Sequence, residues 1–262
     1  MKIISWNVNG VRSICGKGFA EFVDKQQPDV VCIQETKAHL EQLSPKEREL
    51  PNYNLVMSSA IQRGYSGVGT YFHQTRCPEP VQISKGIGKP KFDSEGRFLI
   101  SDLGPLLLYN IYFPSGTTGE TRQQYKYDFL DALLEHLEQL PNSDRKRLVI
   151  CGDFNICHKP NDIHHPEVAE KRQLSGYLPE ERQWMDRFCA AGFIDCYRKI
   201  NGDSRREYTW WTFRANAREK NLGWRIDYFF ISKGLQDKLL QAKIHSSVTG
   251  SDHCPISIEI EV

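Results

Sequence analysis

At 262 residues, with 39% hydrophobic and 26% charged content, the chain has enough apolar sequence to bury a sizeable core and too much to be disordered. Its 34 basic and 33 acidic residues leave a formal charge of +1, so any surface for a polyanion must be local, with the acids segregated elsewhere. No apolar run is long enough to span a bilayer, the amino terminus has no signal-peptide pattern, and the eight cysteines lack any Cys-x-x-Cys pair; these features predict a cytoplasmic protein with buried thiols rather than a disulfide or zinc framework.

The first element is a short strand, Ile3-Ile4-Ser5-Trp6-Asn7-Val8-Asn9-Gly10, ending in two asparagines and a glycine. A helix follows, with Phe19, Phe22 and Val23 as its apolar face. Val30–Glu35 reads as a second apolar strand that ends in a carboxylate, followed by Thr36-Lys37. Ser44-Pro45-Lys46-Glu47 has the cap, first-turn proline and returning glutamate of a helix start. From Tyr53 to Tyr112 the text changes to short strands punctuated by glycine and proline, which predicts an antiparallel stretch. Residues 119–140 carry Tyr125, Phe129, Leu130, Leu133, Leu134, Leu137 and Leu140 at helical spacing.

Leu148-Val149-Ile150-Cys151-Gly152-Asp153-Phe154-Asn155 begins as a continuous apolar run, the pattern of a strand buried on both faces. Asp153 and Asn155 stand two apart, so on an extended backbone both side chains leave the same face. Asp and Asn at a strand end also serve as turn formers, and the segment alone fits either role. After His158 comes a polar loop, then a helix from Pro179 with Trp184 and Phe188 inward, stopped at Gly192. Tyr208–Phe213 is predicted as an aromatic strand, with further strands at Asp227–Ser232, Ala242–Val248 and Ile256–Val262. No linker divides the chain, which predicts one domain over 1–262, an α/β fold in which two packed sheets carry helices outside.

Five separate segments end in acids, amides or imidazole: Asn7/Asn9, Glu35, Asp153/Asn155, Asp227 and Asp252-His253. Carboxylates are hard ligands suited to Mg²⁺, a histidine beside an aspartate has a fixed tautomer, and asparagines bind phosphoryl oxygens without adding negative charge. Together they fit metal-assisted hydrolysis of a phosphate ester. Each alone also fits a cap, a polar turn or, for Asp227, an ion pair with Arg225.

The motifs Asn7-Val8-Asn9-Gly10, Gln34-Glu35-Thr36-Lys37, Tyr112-Phe113-Pro114, Gly152-Asp153-Phe154-Asn155, Gly223–Tyr228 and Ser251-Asp252-His253-Cys254-Pro255 run in the order seen in exonuclease III-type apurinic/apyrimidinic endonucleases, within the exonuclease–endonuclease–phosphatase superfamily. The chain resembles that family over essentially its whole length. The resemblance implies a four-layered α/β sandwich of two packed mixed β-sheets flanked by helices. It implies cleavage of the DNA backbone with Mg²⁺, or Mn²⁺ in its place, by a monomer whose partner is double-stranded DNA with abasic sites or 3′ ends.

Carried over by position, the resemblance makes Glu35 the principal metal ligand, with Asn7, Asp153, Asn155, Asp252 and His253 in the metal set. Asp153 matches the general base or water-positioning group, Asn155 a phosphate-binding amide, and His253, oriented by Asp227, a contact to the scissile phosphate. Tyr112 stands near the leaving side. Asn7, Asn9, Trp210, Trp211, Trp224, Arg214 and Arg225 are expected to bind the substrate. Arg205, Arg206, Arg214, Arg218, Lys220 and Arg225 interleave with these aromatics as a phosphate-facing loop would.

Three departures from the family stand out. Arg172–Tyr177 replaces an asparagine pair ahead of Gly-Phe, Thr118 lies near the place of an intercalating arginine, and Asn9 stands where many relatives have aspartate. Two rival readings, a different phosphoesterase of the superfamily and a non-catalytic regulator on the same fold, are opposed by Gly223–Tyr228 and by retention of Glu35, Asp153, Asn155, Asp252 and His253.

Overall fold

The computed structural model describes every residue except 78, 79 and 205. In chain order its strands are β1 (Lys2–Asn7), β2 (Val30–Gln34), β3 (Tyr53–Ser58), β4 (Val68–His73), β5 (Gln82–Ser84) and β6 (Phe98–Asp102). There follow β7 (Leu107–Tyr112), β8 (Leu148–Asp153), β9 (Phe193–Asp195), β10 (Asp227–Ser232), β11 (Leu239–Ile244) and β12 (Ile256–Ile260). One sheet runs β11-β12-β1-β2-β4-β3 and the other β5-β6-β7-β8-β10-β9. β1–β2 and β7–β8 pair in parallel and every other pairing is antiparallel, so both sheets are mixed. The expected antiparallel stretch from Tyr53 to Tyr112 is divided between the two: β3–β4 close one sheet, and β5–β7 open the other.

The sheets pack face to face through Ile3, Val30, Cys32, Leu108, Val149, Cys151, Phe229 and Ile231. Each such buried side chain contributes roughly 1.5–3 kcal/mol relative to exposure. Phe19, Phe22 and Val23 of the helix Phe19–Gln26 cover the outer face of the first sheet over Ile4, Trp6 and Val31. On the second, Phe129, Leu130 and Leu133 of the helix Glu120–Gln139 and Trp184 and Phe188 of the helix Pro179–Ala190 close over Tyr109, Ile150 and Phe230. Helix, sheet, sheet and helix make the four layers. Among the described residues no helix is long and apolar enough to cross a membrane. All eight cysteines are free thiols.

The inner faces change character along their length. Because alternate residues share a face, β1 presents Ile3, Ser5, then Asn7, and β8 presents Val149, Cys151, then Asp153. Antiparallel β10 reads the same way in reverse, from Ile231 through Phe229 to Asp227. Midway, Gln34 donates to Ser5 Oγ (3.0 Å) and Asn110 Oδ1 (2.8 Å), while Asn110 Nδ2 donates to the Gly69 carbonyl at 2.8 Å. The apolar end glues the sheets together. The polar end opens into a cleft.

Tyr208–Phe213 is not the expected strand. Trp210 makes only single bridges, to Trp224 and to His253. The N–H groups of Thr209 and Trp210 both donate to the Trp224 carbonyl, and that of Trp211 donates to Asp252. Its aromatic residues have the composition of a strand, but its backbone partners come from two different loops, so no ladder can run along it.

Candidate active site

The cleft holds about 260 Å³ and is lined by Glu35, Tyr112, Asp153, Asn155, Trp210, Trp224, Asp252 and His253, together with the serine and threonine residues of neighbouring loops. Strand register delivers most of them. Tyr112 of β7 and Asp227 of β10 are both Cα partners of Asp153 on β8. Gly152 makes this pairing possible: it sits at φ +137°, and a Cβ there would stand 1.8 Å from the carbonyl oxygen of Ile111. Glu35 and Asn155, each just past a strand end, adopt left-handed φ of 51° and 53°. Such strain in residues other than glycine persists only where the surroundings hold it.

Hydrogen bonds knit these groups into one array. Asn7 Nδ2 donates to both Glu35 Oε1 (3.0 Å) and Asp153 Oδ2 (2.9 Å). Asp153 Oδ1 accepts from the Asn155 N–H at 2.8 Å, and Asn155 Nδ2 donates to the Phe113 carbonyl at 3.0 Å. His253 Nδ1 lies 2.8 Å from Asp227 Oδ2, and its Nε2 stands 3.8 Å from Asp153 Oδ2. Asp252 accepts from Asn9 Nδ2 (2.9 Å) and from Trp210 Nε1 (3.0 Å). Arg97 stacks on the Tyr112 ring at 4.8 Å and donates to its carbonyl at 2.9 Å.

Burial works against the charge on His253, but Asp227 and then Asp153 overcome it and raise its pKa to about 10. The imidazole is therefore a cation at neutral pH. Desolvation pushes Asp153 up to about 7 against the pull of His253, with Asp227 and Glu35 adding to the rise. Glu35 resists its own burial because Lys37 and the Asn7 amide favour the carboxylate, and its pKa is lowered. Burial raises the Tyr112 phenol well above its ordinary value, with Glu35 assisting and Arg97 opposing, so it stays protonated.

Comparison with known proteins places this geometry. A model of the endonuclease/exonuclease/phosphatase family matches residues 4–253. The chain belongs to that family. It is 35% identical over 263 residues to an exodeoxyribonuclease of Bacillus subtilis (strain 168), with both chains covered in full. It is 37% identical over 264 residues to the DNA repair nuclease APEX1 of Danio rerio, covering all of this chain and 83% of that one. The solved structure of an AP endonuclease from Archaeoglobus fulgidus superposes with a TM-score of 0.88 at 26% identity, covering both chains in full. The exonuclease III-type branch expected from the motifs is the one these relatives represent.

The chemistry of the donor set fits a hard cation. Glu35, Asp153 and His253 offer ligand atoms that all lie within 4.8 Å of one another. Two of the three are carboxylates, Glu35 and Asp153, and Mg²⁺ commonly needs only one or two. Asn7, Asn155 and Asp252, also expected in the metal set, lie around these atoms. Asn7 turns its amide nitrogen to the two carboxylates and its oxygen to the Asn9 N–H (3.0 Å), so it bridges the two acids. Asn155 points its amide nitrogen at Phe113 and Asp153, and Asp252 is committed to Asn9 and Trp210.

Two expected substrate contacts lie elsewhere. Arg225 is buried, its Nε 2.7 Å from Asp162 and its Nη2 2.7 Å from Asp195. A guanidinium spent on two carboxylates has nothing to offer a phosphate, and Asp227, its sequence neighbour, is free to serve His253. Trp211 is buried against Arg218, whose guanidinium lies 4.6 Å above the ring and donates to the carbonyls of Ser246, Val248 and Ser251. Trp210 and Trp224 do face the cleft, edge to face with centroids 5.9 Å apart. Arg206, Arg214 and Lys220 are exposed, while Arg205 lies outside the described residues.

Lys37, in the motif Gln34-Glu35-Thr36-Lys37, has no counterpart among the expected site residues but joins the array. Lys37 Nζ lies 2.7 Å from Glu35 Oε2 and also donates to Asn9 Oδ1. The Tyr65–Glu95–Arg97–Arg122 cluster, which meets Tyr112 through Arg97, carries no sequence motif.

Proposed function

We propose that this chain is a Mg²⁺-dependent DNA-repair nuclease that cuts the phosphodiester 5′ to abasic sites in duplex DNA, and that it also removes 3′-blocking groups and 3′-terminal nucleotides. In this reading the whole chain works as one cytoplasmic, monomeric domain. The observation that carries it is the Asp227–His253–Asp153 array on the floor of a cleft walled by Trp210 and Trp224.

The water oxygen bonds to phosphorus as the phosphorus–O3′ bond breaks. Asp153, oriented by Asn7 and Asn155, accepts the water's proton. The His253 imidazolium donates its Nε2–H to a phosphoryl oxygen, where negative charge builds. Tyr112, kept protonated, donates a hydrogen bond to the departing 3′ oxygen, which acquires its proton from solvent. Mg²⁺ held by Glu35 and Asp153 would supply Lewis-acid polarisation of the phosphate. The paired tryptophans suit a deoxyribose without a base, which is also the nucleotide that leaves the stack most easily.

The test is a duplex carrying one abasic analogue, incubated with Mg²⁺ or with EDTA and its products sized on a gel. Expected is a single Mg²⁺-dependent cut 5′ to the analogue, with Asp153→Asn slower by ~10²-fold or more in single turnover while DNA binding survives. Cleavage that ignores the lesion, or that survives EDTA, would sink the reading.

A further inference from the structure

The helix Glu120–Gln139 carries a lysine on its apolar stripe. Lys126 Nζ and Glu181 Oε1 are 2.5 Å apart, and both side chains are wholly buried under the cleft without lining it. Glu181 Oε1 also accepts from Gln123 Nε2 at 3.1 Å, and the other hydrogen bonds of the pair go to backbone. Lys126 Nζ donates to the Asn155 carbonyl at 2.8 Å, and Glu181 Oε2 accepts from the N–H groups of Gly176 (2.6 Å) and Leu178 (2.9 Å). Asn155 holds the left-handed backbone described above. Gly176, at φ +97°, lies so close to Trp224 that a Cβ would stand 2.7 Å from the indole, and its carbonyl accepts from the Cys157 N–H at 2.7 Å.

A buried ion pair is a weak source of stability, since apolar side chains of similar volume often serve as well. What an apolar pair cannot do is grip a carbonyl on one side and two N–H groups on the other. We infer that Lys126–Glu181 is a positioning pair: it fixes Asn155 beside Asp153 and seats the Gly176 loop against Trp224, so that both the hydrolytic rate and lesion choice depend on two residues that never touch substrate. The inference rests on reading the cleft as the nuclease site.

The experiment compares Glu181→Gln, which leaves Lys126 an acceptor but turns one donor-facing oxygen into an NH₂ group, with Lys126→Met/Glu181→Leu, which removes both charges. A control, Leu137→Ala, weakens the same helix away from the cleft. Read out are circular dichroism, Tm, Kd for abasic duplex, the single-turnover rate at saturating DNA, and the ratio of cleavage at abasic over intact internal sites. Expected for the pair variants is a roughly 10-fold slower rate with Kd within about twofold, the range for displacing a catalytic group by less than ~1 Å, together with a smaller ratio. Leu137→Ala should lose Tm and keep rate and ratio. The inference is overturned if folded pair variants retain the parent's rate and ratio, if Leu137→Ala slows by the same factor, or if neither pair variant folds. The parent's own cut at the abasic site tests the underlying reading separately.

Discussion

Asp153 and Asp227 are Cα partners across the antiparallel β8–β10 ladder, and both carboxylates address the same imidazole, that of His253. The Asp227 charge makes Asp153 harder to ionise, and the His253 cation between them opposes that. The arrangement makes His253 a fixed positive charge and leaves Asp153 the carboxylate most ready to take a proton. Nδ1 is occupied by Asp227 and Nε2 faces the cleft, so the Asp227 carboxylate also fixes which nitrogen is offered to a substrate.

Asp227→Asn keeps the shape of this contact and removes the nearer of the two charges that sustain the imidazolium. Burial then dominates and the His253 pKa falls. In the parent the cation persists as pH rises towards about 10, so the alkaline limb of the single-turnover rate should lie near there. In the variant the limb should move down towards neutral pH, with the rate at pH 8 lower by ~10²-fold, the scale of losing a group that acts on the transition state. An unmoved alkaline limb would show that His253 does not act as a cation.

Glu35→Gln addresses the cation. The substitution removes one of the two carboxylates that meet at the site and leaves Lys37 Nζ without its 2.7 Å partner, so positive charge there goes uncompensated. Mg²⁺ affinity should fall at least ~10-fold, the lower end for changes around a metal, and saturation should need correspondingly more Mg²⁺. A Mg²⁺ titration of cleavage and calorimetry of Mg²⁺ binding check this independently; identical curves for parent and variant would make Glu35 structural.

The backbone under the site is equally specific. Gly152→Ala would drive a methyl group into the Ile111 carbonyl between two central strands, at a φ that L-residues rarely adopt. Because the obstacle is backbone, it cannot swing aside. The loss should exceed ~3 kcal/mol, beyond the usual cost of one substitution. That corresponds to a fall in Tm on the order of 10 °C for a chain of this size. Thermal unfolding that matches the parent would mean the β7–β8 ladder adjusts.

Much of this was legible in the sequence where periodicity and chemistry coincide. β1, β2 and β8 announce themselves as apolar runs ending in Asn7, Glu35 and Asp153, and the helix Glu120–Gln139 by its leucine spacing. The Ser44-Pro45-Lys46-Glu47 start is realised with Glu47 accepting from the Ser44 N–H at 2.9 Å. What failed did so because pairing partners are set by tertiary structure. Tyr208–Phe213 has the residues of a strand but no neighbouring strand, and Arg225 has the charge of a phosphate contact but two aspartate partners, Asp162 and Asp195, far away in sequence. Lys126 did leave a trace, since it falls on the stripe with Leu130, Leu133 and Leu137, where a lysine needs a buried partner.

The proposed preference for abasic sites is tested at the half-buried indole of Trp224, which stands edge to face with Trp210 and rests on Gly176. Trp210 is pinned by its Nε1–H bond to Asp252, so Trp224 is the wall whose removal changes the pocket without touching the polar array. Trp224→Ala removes one aromatic surface that a bare deoxyribose would pack against, a contact worth about 1–3 kcal/mol where an aromatic meets a nucleotide. The space vacated admits a sugar that still carries its base. Cleavage at an abasic analogue should therefore slow by roughly 5- to 100-fold, as that contact energy implies. The excess of abasic over intact internal cleavage on matched duplexes should shrink as well. The Trp224 N–H and carbonyl make the backbone bonds to Trp210 and Thr209, and alanine keeps them, so circular dichroism should be unchanged. A folded variant that cuts both duplexes at the parent's rates would return Trp224 to core packing and place lesion selection on another wall.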